Sequence, residues 1–154
     1  MPSLEGENDV RRPAAILSLL LALASCTRPA ALEIEDAWVR DSVGRTANAA
    51  VFMTIRSQER DRLLSASTPV AKKTALMTMT SKNGAMAMDY VKAIDVPAGQ
   101  PVELNATGLH VWLADLHQPL RAGQTFPLSL RFEHAGERLV TVSIIAPTAA
   151  APAS

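Results

Sequence analysis

The chain has 154 residues, with 15 basic and 15 acidic side chains balancing to a formal net charge of zero, and a single cysteine. That length fits one domain with a tail at each end. A near-neutral surface with one tyrosine and no basic stripe leaves no nucleic-acid footprint, and one cysteine excludes both an intrachain disulfide and a cysteine-only metal site.

Residues 10–26 form a basic start, an apolar run and a small-residue end, the layout of an export signal. The apolar run is shorter than the roughly 20 residues a transmembrane helix needs. The acidic Glu5, Glu7 and Asp9 do not suit the first segment of a signal, so translation is expected to start at Val10. N-terminal sequencing of the unprocessed precursor tests this. The closing Leu23-Ala24-Ser25-Cys26 resembles a bacterial lipobox, in which the cysteine is acylated and becomes the mature N-terminus; the competing reading is plain cleavage without lipid. Removing 1–26 leaves 13 basic against 12 acidic side chains, a net charge of +1. A tether over 27–32 then leads to one domain over 33–146. The low-complexity 147–154 (Pro-Thr-Ala-Ala-Ala-Pro-Ala-Ser) has too little to bury and is expected to be disordered.

Within the domain the pattern is β. Strands are expected over Ile34–Arg40, Ala47–Arg56, Arg62–Ser67, Thr74–Thr80, Ala85–Ala93, Pro101–Leu104, Leu109–Asp115, Thr125–Glu133 and Glu137–Ile145. Alternation is clearest in the last, where Val140, Val142 and Ile144 oppose Leu139, Thr141, Ser143 and Ile145. Turn chemistry separates the strands at Asn83-Gly84, Pro97-Ala98-Gly99, Thr107-Gly108, Ala122-Gly123 and Ala135-Gly136. No helix-periodic run with capping signals occurs. Many short strands at this spacing predict an all-β sandwich or barrel.

Four of the six methionines, Met77, Met79, Met86 and Met88, fall within twelve residues. They form two i,i+2 pairs around the Asn83-Gly84 turn signal, and i,i+2 spacing on a strand aims side chains at one face. With any even-length hairpin loop all four sulfurs share that face; an odd loop splits them. Downstream, His110 and Trp112 form a third same-face pair. Thioether sulfur is a soft neutral donor suited to Cu(I). A methionine stripe also serves as core packing, since Met fills irregular gaps.

These residues resemble the periplasmic copper chaperones called PCuAC, whose pattern is His, ten residues, Met, twenty-one residues, His, one residue, Met. Met88 and His110 match the central spacing without a gap, while Met77 stands where that family has His and Trp112 where it has Met. Ala37-Trp38-Val39-Arg40, Val96-Pro97-Ala98-Gly99, Gln118-Pro119-Leu120 and the run from Pro127 to Glu133 also resemble the family, which is matched over roughly 33–145. The resemblance implies a cupredoxin-like, Greek-key sandwich. It implies an extracytoplasmic copper chaperone that delivers to a cuproprotein such as the copper centre of a respiratory oxidase. The metal-site positions it implies are Met77, Met88, His110 and Trp112. An indole has no lone pair to donate, so Trp112 is expected to act as a cap through its ring face, and Met79 and Met86 are read as a substitute sulfur or an entry relay beside that set. A thioether in place of imidazole favours Cu(I) over Cu(II). The carrier is expected to be a monomer with an exposed, low-coordinate site, held near the membrane by a lipid on Cys26. The alternative is a sandwich lipoprotein that has lost the metal and binds a protein partner. No Gly-x-Ser-x-Gly elbow or His-Glu-x-x-His pattern occurs, so no enzyme is expected. His117 and His134 lie outside the pattern and read as solvated loop residues.

Overall fold

The computed structural model describes residues 31–44 and 46–152. The export signal, Cys26 and the tether up to residue 30 lie outside the described residues. Ten strands follow in order: β1 (Leu32–Arg40), β2 (Ala49–Ser57), β3 (Asp61–Ser67), β4 (Ala71–Lys82), β5 (Ala85–Tyr90), β6 (Ile94–Val96), β7 (Val102–Leu104), β8 (His110–Leu116), β9 (Thr125–Phe132) and β10 (Glu137–Ile145). Among the described residues there is no helix.

Nine of these strands answer to the nine expected from sequence. The tenth, β6, is three residues long, too short for alternation to show; it is held by pairing with β3, Ile94 opposite Leu63. The strand expected over Thr74–Thr80 runs further, from Ala71 to Lys82, and the next stops at Tyr90 rather than Ala93. β1 begins at Leu32, the last residue of the expected tether, where it pairs with Ser57.

The strands join edge to edge in the order β5-β4-β8-β2-β1-β10-β9-β3-β6, with β7 alongside the second half of β2. β1 links the two halves, antiparallel to β2 and parallel to β10. A register shift between Glu35 and Trp38, with Asp36 at φ 51°, marks a bulge that re-aims the strand between them. One face of the curled sheet closes on a common core. Val39, Val51, Ile55, Val111 and Leu113 from one half meet Leu63, Leu128, Leu130, Phe132 and Val142 from the other. β9 shows why these residues form a strand: Phe126, Leu128, Leu130 and Phe132 point inward at every second position. Each such side chain contributes about 1.5–3 kcal/mol of burial.

Two polar clamps tie connections to this frame. The buried Asp61 carboxylate accepts the backbone N–H of Arg62, His134 and Ala135 at 2.7, 3.0 and 2.8 Å, fastening the β9–β10 turn to the start of β3. At the other end Arg40 Nη1 donates to the carbonyls of Ala146, Pro147 and Ala149, and its guanidinium lies 5.2 Å from the Trp38 ring. That clamp holds the first residues of the segment expected to be a disordered tail.

Candidate metal centre

The β4–β5 hairpin turns on two residues. Asn83 (φ 52°) and Gly84 (φ 81°) both take left-handed conformations, as a two-residue turn of the I′ type demands. The register follows: Lys82 opposite Ala85, Ser81 opposite Met86, Met79 opposite Met88 and Met77 opposite Tyr90. The loop is even, so the four methionines lie on one face. On the other face Asp89 accepts from Lys82 Nζ at 2.8 Å and from Thr80 Oγ1 at 2.7 Å. Those two bonds, Lys82 first, hold the Asp89 carboxyl below its ordinary pKa. A polar network on one side and thioethers on the other make any one-residue slip costly.

On the far side of β4 lies β8, with Met77 directly opposite His110 and Ala75 opposite Trp112. Trp112 is flanked on its other side by Ala50 of β2, so its large ring has an alanine on each neighbouring strand. The rings of Phe52 and Trp112 each lie 6.3 Å from the His110 ring, both edge-on. Trp38 lies 4.8 Å beyond Phe52. A row of large side chains thus crosses five strands: Trp38, Phe52, His110, Met77, Tyr90.

His110 Nδ1 lies 3.0 Å from the Gly108 carbonyl. A carbonyl only accepts, so Nδ1 carries the proton and the Nε2 lone pair is left for another partner. Metal-binding histidines are commonly oriented in this way by a second hydrogen bond. The same Gly108 carbonyl accepts the Met79 N–H at 3.1 Å, so one oxygen sets both the histidine tautomer and the β4–β8 junction. The turn before it is tied by Asn105, whose Oδ1 accepts the Thr107 N–H and whose N–H reaches the Leu109 carbonyl.

Burial grades steeply across this face. Met77 and His110 are only 4% and 3% exposed, against 44% for Met88 and 59% for Met86. Met79 and Trp112 are half-buried. The expected open site is therefore found at Met86 and Met88 but not at Met77 and His110, which the flanking rings close in. Met77 and Phe52 are buried apolar side chains, but they stand apart from the main core cluster. The hydrophobic core contains the neighbours Leu76 and Val111, on the opposite face of their strands, but not Met77, His110 or Phe52. Met53 packs in the main cluster itself.

No cluster of three or more His, Cys, Asp or Glu side chains able to hold a metal occurs among the described residues. The donors gathered on this face are neutral sulfur and imidazole, a set for a soft cation and unsuited to calcium or magnesium. Phe52 and Tyr90 were not singled out in the sequence, and Trp38 only as part of the family-like Ala37–Arg40 segment, not as a site residue; the strand register brings all three in. His117 lies exposed, as expected. His134 is also exposed, but its Nδ1 lies 3.4 Å from Asp61, so it belongs to the turn clamp.

A family model described as "Putative lipoprotein LpqE-like" matches residues 32–144. The chain is 26% identical over 148 residues to "Putative lipoprotein Lxx21020" of Leifsonia xyli subsp. xyli (strain CTCB07), covering 86% of this chain and 88% of that protein. Among solved structures it is similar to the copper-free PCuAC domain from PmoF1 (24% identity, 75% of this chain and 94% of that one, TM-score 0.64). It is similar too to the Cu(I) form of DR1885 from Deinococcus radiodurans (26% identity, 82% and 85% coverage, TM-score 0.60). The cupredoxin-like β fold and the resemblance to PCuAC domains are thereby established.

Proposed function

The chain belongs to the LpqE-like lipoprotein family, and from that premise we propose that it is an extracytoplasmic carrier of Cu(I) that passes the ion to a cuproprotein, such as the copper centre of a respiratory oxidase. Its ligands are Met77, Met88 and His110, with the ring face of Trp112 as a cap; Met79 and Met86 extend the sulfur surface outward. The observation that carries this reading is the direct pairing of Met77 with His110, whose Nδ1 is engaged by the Gly108 carbonyl so that Nε2 is free to bind. Two thioethers and one imidazole make a neutral, soft set that favours Cu(I). Three ligands leave room for an acceptor to add its own and draw the ion away. Similarity to a Cu(I)-loaded structure of the same fold supports the cargo. A lipid on Cys26 would keep the carrier beside a membrane-bound acceptor.

Competition against a calibrated Cu(I) chelator tests the ligands. Wild type should bind more tightly than about micromolar, and His110→Ala and Met88→Ala should each weaken binding about tenfold or more. Micromolar or weaker affinity, or no loss in either variant, removes the proposal.

The metal-free alternative calls for an apolar patch away from the methionines. The exposed large apolar side chains among the described residues are Val43, Met86, Met88, Tyr90 and Leu139. Three of the five lie in the methionine cluster itself, and the other two sit on different elements. The apolar surface and the sulfur surface coincide, which favours the metal reading.

A further inference from the structure

The sulfurs and the imidazole of this face fall into two groups by access, and the outer group suggests a role of its own. Met77 and His110 are only 4% and 3% exposed, against 44% for Met88 and 59% for Met86, so an incoming ion meets the outer sulfurs over far more surface. Met79, Met86 and Met88 follow on the same face toward the hairpin turn, with Tyr90 directly opposite Met77 on β5. We infer that these three thioethers form a second, exposed station for a soft monovalent cation such as Cu(I) or Ag(I), sharing Met88 with the buried set and loading it. The inference rests on the reading of Met77, Met88 and His110 as the inner ligands.

The hairpin geometry brings the three sulfurs together. The Val91 N–H donates to the Leu76 carbonyl at 3.0 Å, which fixes the alternation of bonded and non-bonded pairs along the ladder. Met79 and Met88 then form a non-hydrogen-bonded pair, with Cα atoms about 4.5 Å apart and side chains at their closest. Met86 is two residues along the same face, opposite the small Ser81. On the β8 side Met79 borders Gly108, which has no side chain to compete for the space. The carboxylate of Asp89 is on the opposite face and engaged by Lys82 and Thr80. The station is therefore neutral and sulfur-only, a poor site for a divalent hard ion and a fair one for Cu(I) or Ag(I).

Position supports a loading role. β5 is the edge strand of the sheet. By the same alternation the backbone N–H and C=O groups of Met86, Met88 and Tyr90 face the open edge, where another chain can approach. Transfer inward is ligand exchange at constant oxidation state: the thioethers of Met79 and Met86 leave as Met77 and His110 bind, with Met88 held throughout. No oxidant, reductant or proton is required.

Two measurements on the full chain test this. In His110→Ala, titration with Ag(I) followed by methionine-methyl NMR should shift Met79, Met86 and Met88, with the core Met53 as the unmoved control. In the double variant Met79→Leu/Met86→Leu, which keeps apolar bulk, equilibrium Cu(I) affinity should stay within about threefold of wild type while stopped-flow loading from a weak chelate slows about tenfold. Unchanged loading at unchanged affinity overturns the station and leaves the inner site standing. An affinity loss as large as that of His110→Ala makes Met79 and Met86 inner ligands and also overturns it. Wild-type affinity in His110→Ala would instead remove the inner-site reading.

Discussion

His110 shows how much one side chain depends on backbone around it. Its ring is buried on the face away from the core, between two aromatic edges, and held by the Gly108 carbonyl. With Met77 opposite, where the related pattern has imidazole, the chain should prefer Cu(I). A Met77→His variant should therefore gain Cu(II) retention relative to Cu(I), read by titrating both oxidation states; equal preference in variant and wild type would contradict the soft-site argument. Asp61 is the other residue on which local structure turns. Burial alone would raise its pKa, but the backbone N–H groups of His134, Arg62 and Ala135, with the His134 ring, bring it below the ordinary value. A depressed folded-state pKa gives stability that is fully present above the unfolded carboxylate's pKa and is lost as pH falls through the folded value. Asp61→Ala should cost roughly 2–3 kcal/mol at neutral pH, because it strands buried N–H donors. The gap from wild type should start to narrow as pH falls below about 4, the ordinary carboxylate value, and narrow further through the lower folded-state value. Chemical denaturation across pH reads both, and a gap that persists in acid would count against the charge.

At the scale of elements, the β4–β5 hairpin was the most legible part of the sequence. Asn83-Gly84 specifies a two-residue turn, the turn fixes an even register, and the register puts four sulfurs on one face. The pairing of Met77 with His110 was legible only through the family spacing, because β4 and β8 are far apart in sequence and no local signal sets their register. Burial was not legible at all. Met77 and Met79 are the same residue type two positions apart, yet one borders His110 and the other borders Gly108. β6 was missed because three residues held by a neighbour carry no periodicity. One extra glycine between Asn83 and Gly84 should move Met86 and Met88 to the other face. Cu(I) affinity should then fall about tenfold or more while the circular dichroism of the sheet persists. Affinity unchanged by the insertion would mean that β5 supplies no ligand.

Across the whole molecule, one curled sheet serves two purposes on its two faces. The inner face carries the core that stabilises the fold. The outer face carries the aromatic and sulfur row, and β1 continues that row through Trp38 to the Arg40 clamp on the C-terminal segment. Arg40→Ala should free that segment, with faster hydrogen exchange at Ala149, whose N–H reaches the Ala146 carbonyl, and little change in the core amides. Equal exchange in both proteins would show that the segment is held by other contacts. Everything proposed for this face depends on Met77, Met88 and His110 holding Cu(I) together. X-ray absorption of the Cu(I)-loaded full chain tests it most directly. Copper should be bound by two sulfurs and one imidazole nitrogen, with the nitrogen lost in His110→Ala. A shell of nitrogen and oxygen alone, or an unchanged spectrum in that variant, would contradict it.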